Sequence, residues 1–522
     1  EEELPNPGLS VTFVKEIQDV TSIILADITL DTPREKRKKL IKQRTDSVLA
    51  LPLKEEHYTA KVLPFYNGNQ YYKIVFEKFE DVRFVGAPPS SIGKYGFDTD
   101  NWIWPRHTGD FSLFRIYADE NNKPAKYNEN NRPYKPAHHL PISLKGVEEG
   151  DFTMVYGFPG RTQEYLPSQA IELIRNQSNP LKIALRTKKL EILDEEMRKD
   201  RQVAIKYAAK QSGTSNAWKK WKGENRGLDK LNAIEVKKRN EAKFFADLLS
   251  EEKNRERYST LFTDYEKLYQ ELAELQFARD YFVEAGYYGT DILRLAWKVR
   301  KLEKLEGEEF EKQKTKLING LEGHFKNYDV NVDKRLFERM IGAYFNGDTS
   351  TFRPSVFSAI EGKFKSDMPS YTAFVFKKSN FANIADAKKY LSSINENNAK
   401  NLVKDPAYEL ATGLFDNYFT HIRTKMRTLQ SEIAELDRIY LDARMKLYAD
   451  KKFYPDANST LRIAFGKIDS YEPRDAVAYD YYTTMEGIME KHEPGSYEFS
   501  LPEKLVSLYE NKDYGDYGKN GE

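Results

Sequence analysis

The chain has 522 residues, with 82 Lys and Arg against 81 Asp and Glu, for a formal net charge of +1. That length exceeds one ordinary core and argues for about two or three domains, while the near-neutral balance offers nothing to a nucleic-acid backbone. There is no cysteine, which excludes a disulfide framework, thiolate zinc and a cysteine nucleophile, and no segment has the uninterrupted apolar length of a membrane span.

The opening Glu1-Glu2-Glu3-Leu4-Pro5 is acidic and polar, so no signal peptide is read there, and the start reads as cut rather than native. Leu9–Val14 reads as a strand and the basic run Arg34–Arg44 as part of a helix. Ala60–Leu63 and Gln70–Phe76 are predicted strands, the second following an Asn67-Gly68 turn, and Val82–Val85 continues the pattern. Pro, Gly and Ser make 86–93 a loop.

The rest of the chain is organised around the stretch Asn101-Trp-Ile-Trp-Pro-Arg-His-Thr-Gly-Asp-Phe-Ser-Leu-Phe-Arg115. It holds two of the five tryptophans and one of the seven histidines. After Asp110 the residues alternate, with Phe111, Leu113 and Arg115 on one face and Ser112, Phe114 and Ile116 on the other, which is a strand period. Asp119–Pro124 is a solvated turn without the glycine and glutamate of a calcium loop. His138 and His139 would point to opposite faces of a strand, with no acidic cluster beside them, so no metal site is expected. Gly150–Gly160 is a second alternating strand closed by a Gly/Pro turn.

Past about Gly160 the period changes. Leu181–Gln211 and Leu228–Lys304 place apolar residues three and four apart, among them Phe244, Leu248, Leu261, Tyr265, Leu268, Leu272 and Leu275. Further helices are predicted at Phe310–Phe325, Val332–Tyr344, Ala385–Ile394 and Tyr408–Tyr448. The Ser/Gly/Thr cluster within Gln211–Trp221 reads as a break in the first helices, either a functional loop or a linker pinned by two tryptophans. Strand alternation returns in Ser459–Lys467, and Asn458-Ser459-Thr460 is a formal glycosylation sequon.

Chemistry converges on Asp110. A carboxylate at the head of a strand, behind a Thr-Gly break, is how trypsin-like proteases present the aspartate that orients a catalytic histidine. The same Gly-Asp pattern also serves plain turn chemistry. Neither a Gly-x-Ser-x-Gly elbow nor a Gly-Asn-Ser-Gly loop occurs in the chain.

Asn101–Arg115, Val155–Arg161 with Glu164–Ser168, and Tyr454–Thr460 together resemble the serine exopeptidase family that includes dipeptidyl-peptidases seven and eleven, and the likeness covers essentially the whole chain. The resemblance implies a mixed β and α fold, a chymotrypsin-like double β-barrel with a large inserted all-α cap. It divides the chain into a first catalytic part at 1–162, a helical cap at 163–453 and a continuation of the catalytic part at 454–522. It implies release of dipeptides from the free N-terminus of oligopeptides, with a lean towards Asp or Glu at the second residue. Asp110 matches the triad aspartate; Asn101, Trp102 and Asn216 match residues that hold the substrate's α-amine. For Trp102 the residues alone equally suggest core packing against Pro105.

No cofactor, nucleic acid or membrane span is expected, and the family works as homodimers in the periplasm or at the surface of Gram-negative bacteria. Its catalytic histidine and serine align outside 1–522, so the chain by itself is expected to be inactive. The competing class is a non-enzymatic module that grips peptides without cleaving them.

Overall fold

In the structure, a computed structural model describing residues 3–518, the predicted strands form and their pairing shows what each buries. Strands β1 (Leu4–Pro5), β2 (Val11–Asp19), β3 (Tyr58–Phe65), β4 (Gln70–Phe79), β5 (Asp81–Gly86), β6 (Leu113–Ala118) and β7 (Arg132–Pro133) make two antiparallel sheets, in the orders β2-β4-β3 and β1-β5-β6-β7. β4 is paired along both edges and buries Tyr71, Ile74, Val75 and Phe79. The β3–β4 connection uses left-handed backbone at Asn67 (φ 56°) and Gly68 (φ 83°), which an Asn-Gly pair adopts cheaply. The helix Arg34–Leu49 docks there, with Arg37 Nη2 donating to the Gly68 carbonyl at 3.0 Å. Val20, Ile24, Val48 and Tyr71 form a small core, each aliphatic side chain contributing about 1.5–3 kcal/mol by burial.

Strand β6 begins at Leu113, so Phe111 and Ser112 stay outside the ladder predicted to start at Asp110. Asp119 forms the expected turn, its Oδ1 accepting from the backbone N–H of Asn121 and Lys123 at 2.9 and 2.8 Å. β8 (Phe152–Gly157) pairs with β9 (Arg462–Lys467), Phe152 opposite Lys467 and Gly157 opposite Arg462. β10 (Tyr471–Arg474) and β11 (Val477–Tyr479) form a hairpin.

The expected double β-barrel is not what these strands make. Among the described residues the sheets hold four, three, two and two strands, and none closes. Closure requires the two edge strands of a sheet to pair with each other. Here β1 and β7 are edges of only two residues each, and β2 and β3 each pair with β4 alone. What stands is the mixed β and α class, with helix predominant.

Two compact units result. One comprises Glu1–Tyr165 with Leu441–Glu522; the other is Leu166–Tyr440. The second is helical, and its amphipathic pattern is realised: Phe244, Leu248, Leu261, Tyr265, Leu272 and Leu275 are buried. Its largest core runs from Leu185 and Phe282 through Ile292, Phe337, Phe357 and Leu414. Helices Val330–Gly347 and Ile384–Ser393 lie where predicted, while Gly307–Asn319 and Leu321–Lys326 split one predicted helix at Gly320. A π-helical turn, Tyr418–Arg423, joins Pro406–Asn417 to Thr424–Leu447. No helix among the described residues is long and apolar enough to cross a membrane.

The break expected within Gln211–Trp221 is absent, because one helix runs from Arg201 to Lys230. Gly213 costs such a helix about 1 kcal/mol relative to alanine, but tertiary contacts outweigh it. Trp218 Nε1 donates to Thr187 Oγ1 at 2.9 Å, and Lys182 and Arg186 lie 4.3 and 4.5 Å from the Trp221 ring centre.

Buried carboxylates start two other helices. Asp405 accepts from the N–H groups of Ala407 and Tyr408 at the head of Pro406–Asn417. Asp333 accepts from those of Asp291 and Ile292, at 2.7 and 2.9 Å, at the head of Asp291–Val299. Burial, and then the neighbouring Asp291, pushes the Asp333 pKa up.

The turn before Asp291 constrains one residue tightly. A Cβ at Gly289 would stand 1.8 Å from the Ala285 carbonyl oxygen, a backbone atom that cannot swing away. Gly289→Ala should therefore destabilise the helical unit by about 1–3 kcal/mol, the usual cost of overpacking. Chemical denaturation measures this, and an unchanged midpoint would show that the turn can shift freely.

Candidate active site

The Asn101–Arg115 stretch is held from below by a distant part of the chain. Tyr95 is fully buried, donates its hydroxyl to the Ile488 carbonyl at 2.8 Å and meets the Phe499 ring edge-on at 5.7 Å. That burial pushes its phenol pKa up to about 12. Gly96 follows in left-handed backbone (φ 75°), its N–H bonding the Glu498 carbonyl at 2.9 Å. A Cβ there would meet the Asp100 carboxylate at 2.6 Å, so this close approach needs glycine.

Asp100 is buried and paired. Lys491, on the helix Met485–Lys491, donates to Asp100 Oδ2 at 2.8 Å and to the Pro105 carbonyl at 3.0 Å. Thr99 Oγ1 donates to Glu498 Oε2 at 2.6 Å. One ammonium thus ties both ends of the segment from Asp100 to Pro105. Arg106 carries the order onward, its Nη1 donating to Asn101 Oδ1 at 3.3 Å and its Nε to Thr108 Oγ1 at 3.1 Å. Thr108 in turn donates to the Tyr95 carbonyl at 2.8 Å.

These anchors present Asp110. The Gly109 N–H bonds the Ile92 carbonyl at 3.0 Å, and an added Cβ would press on Ile92 Cγ2 at 2.9 Å. The glycine lets the chain hug the loop, and Asp110 emerges exposed. His107 turns elsewhere, its ring packing on Gly487 with Nδ1 buried and unpartnered. Burial, and then the charge on Lys491, lowers its pKa, favouring the neutral imidazole.

Asn101 and Trp102 lie eight or nine positions before Asp110 in the same anchored segment. Trp102 is 63% exposed, so packing in a core is not its role. Its φ of 63° is left-handed, a conformation that costs a bulky residue about 1–2 kcal/mol and recurs at functional sites. Asn216 belongs to the helical unit, exposed on the helix Arg201–Lys230. Its turn is braced from within that unit. Arg186 grips Glu284 through two contacts of 2.7 and 3.1 Å and donates to the Thr214 carbonyl at 3.1 Å. Reading the sequence missed Tyr95, Asp100 and Lys491, because nothing local ties a lysine to an aspartate so far away in the chain.

The architecture is that of a peptidase. It superposes on the crystal structure of Porphyromonas endodontalis DPP11 in complex with dipeptide Arg-Glu, with a TM-score of 0.84 and 29% identity over 99% of this chain and 75% of that one. An alternate conformation of the same protein matches at a TM-score of 0.75 and 25% identity, covering 99% of this chain and 73% of that one. The Peptidase S46 family model matches residues 1–522, and the chain belongs to that family.

Among its relatives, the Asp/Glu-specific dipeptidyl-peptidase of Flavobacterium psychrophilum is 43% identical, covering 100% of this chain and 73% of the relative. Dipeptidyl-peptidase 7 of Porphyromonas endodontalis is 37% identical, covering 99% and 62%. A family match running over residues 1–522 gives no support to the expectations that catalytic segments are missing and that the chain by itself is inactive.

Lys491→Met should release the clamp. Asp100 would lose its cation in a buried setting, a cost of about 1–3 kcal/mol, and the backbone around Arg106 should become open to trypsin. Thermal unfolding with limited proteolysis tests this; equal stability and an intact Arg106 bond would mean that other contacts hold the segment.

Proposed function

We propose that the protein is a serine exopeptidase that releases dipeptides from the free N-terminus of oligopeptides, with preference for Asp or Glu at the second residue. The observation that carries this is the 43% identity, over the whole chain, to an enzyme named for Asp/Glu-specific dipeptidyl-peptidase activity. Related crystal structures hold the dipeptides Arg-Glu and Arg-Asp, which such a cleavage would release. The non-enzymatic binding module has no comparable support. By resemblance to the family, we place the protein in the periplasm or at the surface of a Gram-negative bacterium, as a homodimer.

In this reading Asp110 orients the catalytic histidine. Its carboxylate would accept the imidazole Nδ1–H, fix the tautomer that leaves Nε2 free to take the serine proton, and stabilise the imidazolium that forms. The braced loop suits that task, since it fixes where the carboxylate sits. Asp110→Asn in the intact protein should leave folding intact and lower kcat by about 10⁴-fold. Wild-type turnover in this variant, with an unchanged circular dichroism spectrum, would remove Asp110 from the mechanism.

By resemblance to the family, we assign the substrate's α-ammonium to Asn101, Trp102 and Asn216. An –NH₃⁺ group offers three donors and no acceptor, so amide oxygens suit it, and an indole wall that excludes water strengthens each contact. N-acetylation removes the charge and leaves amide acceptors unpaired, at about 1–3 kcal/mol for each lost partner. Peptides with a free amine should be cleaved to dipeptides while their N-acetyl twins are barely touched, and Asn216→Ala should narrow that gap. Equal cleavage of both peptides would identify an endopeptidase.

A further inference from the structure

The helical unit contains a cavity of about 390 Å³, bounded by the helices Asn179–Lys199, Arg201–Lys230 and Asp291–Val299. That volume falls within the range of about 300–1,000 Å³ typical of small-molecule sites. Its walls carry four cations, Arg186, Lys189, Lys210 and Arg294, against two carboxylates, Glu284 and Asp291. The carboxylates are already engaged. Glu284 takes the Arg186 guanidinium in a two-point contact, and Asp291 receives both Lys210 and Arg294.

Lys189 is left over. Among the described residues its Nζ donates to the Tyr288 carbonyl, at 2.6 Å, and meets no carboxylate. An ammonium has three donors, so the cavity wall offers hydrogen-bonding capacity and positive charge together. Desolvation lowers the Lys189 pKa to about 8; Asp291 and Glu284 oppose that shift while Arg294 and Arg186 reinforce it, and the group stays protonated at neutral pH.

A second wall group is unused. Thr290 is only 2% exposed and its Oγ1 is buried without a hydrogen-bond partner. It stands before the helix Asp291–Val299, where a threonine would ordinarily cap, but Asp333 already accepts from the first two N–H groups. An orphaned buried hydroxyl costs free energy unless something pairs with it. The remaining wall includes the buried side chains of Leu193 and Leu336.

We propose that this cavity binds a small aliphatic carboxylate, its two oxygens receiving Lys189 Nζ and Thr290 Oγ1 and its carbon chain lying against Leu193 and Leu336. Two free donor groups match the two oxygens of a planar carboxylate. A tetrahedral phosphate would bring four oxygens to the three donors that Lys189 and Thr290 leave free, so it is matched less completely than a planar carboxylate, and a cation would face surplus positive charge. The site belongs to the helical unit and does not depend on the peptidase assignment.

Titration of the whole protein with ¹³C-carboxyl butyrate at pH 7, followed by NMR, should show one saturable site. Lys189→Met should weaken binding by about tenfold or more, as loss of a charge-assisted bond does, Thr290→Val should weaken it by a smaller factor, and Lys189→Arg should retain it. Butyrate should also protect Lys189 from reductive methylation, read by peptide mass spectrometry, and affinity should decline as pH rises past 8. If Lys189→Met fails to fold, Thr290→Val and the methylation protection decide. Absence of saturation, binding unaltered in both weakening variants, or displacement of butyrate by equimolar orthophosphate would overturn the proposal.

Discussion

The ladder between β8 and β9 is the constraint on which the first unit depends. It pairs residues 152–157 with 462–467, stretches separated in the chain by the whole of Leu166–Tyr440. Closing so long a loop costs conformational entropy, though the cost grows only slowly with loop length. Side chains next to the ladder help to offset it. Asp456 Oδ1 accepts from Thr162 Oγ1 at 2.7 Å and from the Glu164 N–H at 2.8 Å. Tyr165 donates its hydroxyl to the Tyr454 carbonyl at 2.5 Å, and Asn458 donates to the Pro64 carbonyl at 3.1 Å. The motif residues around 160 and 454–460 therefore have a structural task as the seam of the β unit.

The candidate active site draws on the same closure. Tyr95, Gly96, Thr99 and Asp100 all bond to residues between Ile488 and Glu498, which reach them only after the chain has returned from the helical unit. The loop carrying Asn101, Trp102 and Asp110 is thereby stiffened by partners remote in sequence. Catalytic groups on loops need that support, because a small misplacement costs far more rate than stability.

The helical unit is built differently. Its core is large and apolar, yet the carboxyl groups of Glu284, Asp291 and Asp333 are buried within the unit. Buried ions are tolerated when paired and hydrogen-bonded, and here these carboxyl groups anchor a helix start or fix one helix against the next. The Arg186–Glu284 pair braces the turn that carries Asn216 and also forms part of the cavity wall. Lys189 and Thr290 are the groups this network leaves over.

By itself the sequence determined the elements with strong periodicity. Alternation marked β3, β4, β5, β8 and β9, and three-and-four spacing marked the buried faces at Phe244–Leu275, since side-chain direction in a strand or helix is set locally by backbone geometry. The motifs around Asn101–Arg115, 155–168 and 454–460 also placed the chain in its family. Tertiary structure decided the rest. Gln211–Trp221 looks like a loop because Gly, Ser and Thr are weak helix formers, yet contacts with Thr187, Lys182 and Arg186 keep it helical. Strand alternation could not say which strands pair or whether a sheet closes, since partners are chosen by contacts between distant residues. The clamp of Lys491 on Asp100 and Pro105 is of that kind: a buried charge pair is written in space, and the two residues carry no mark of each other in the chain.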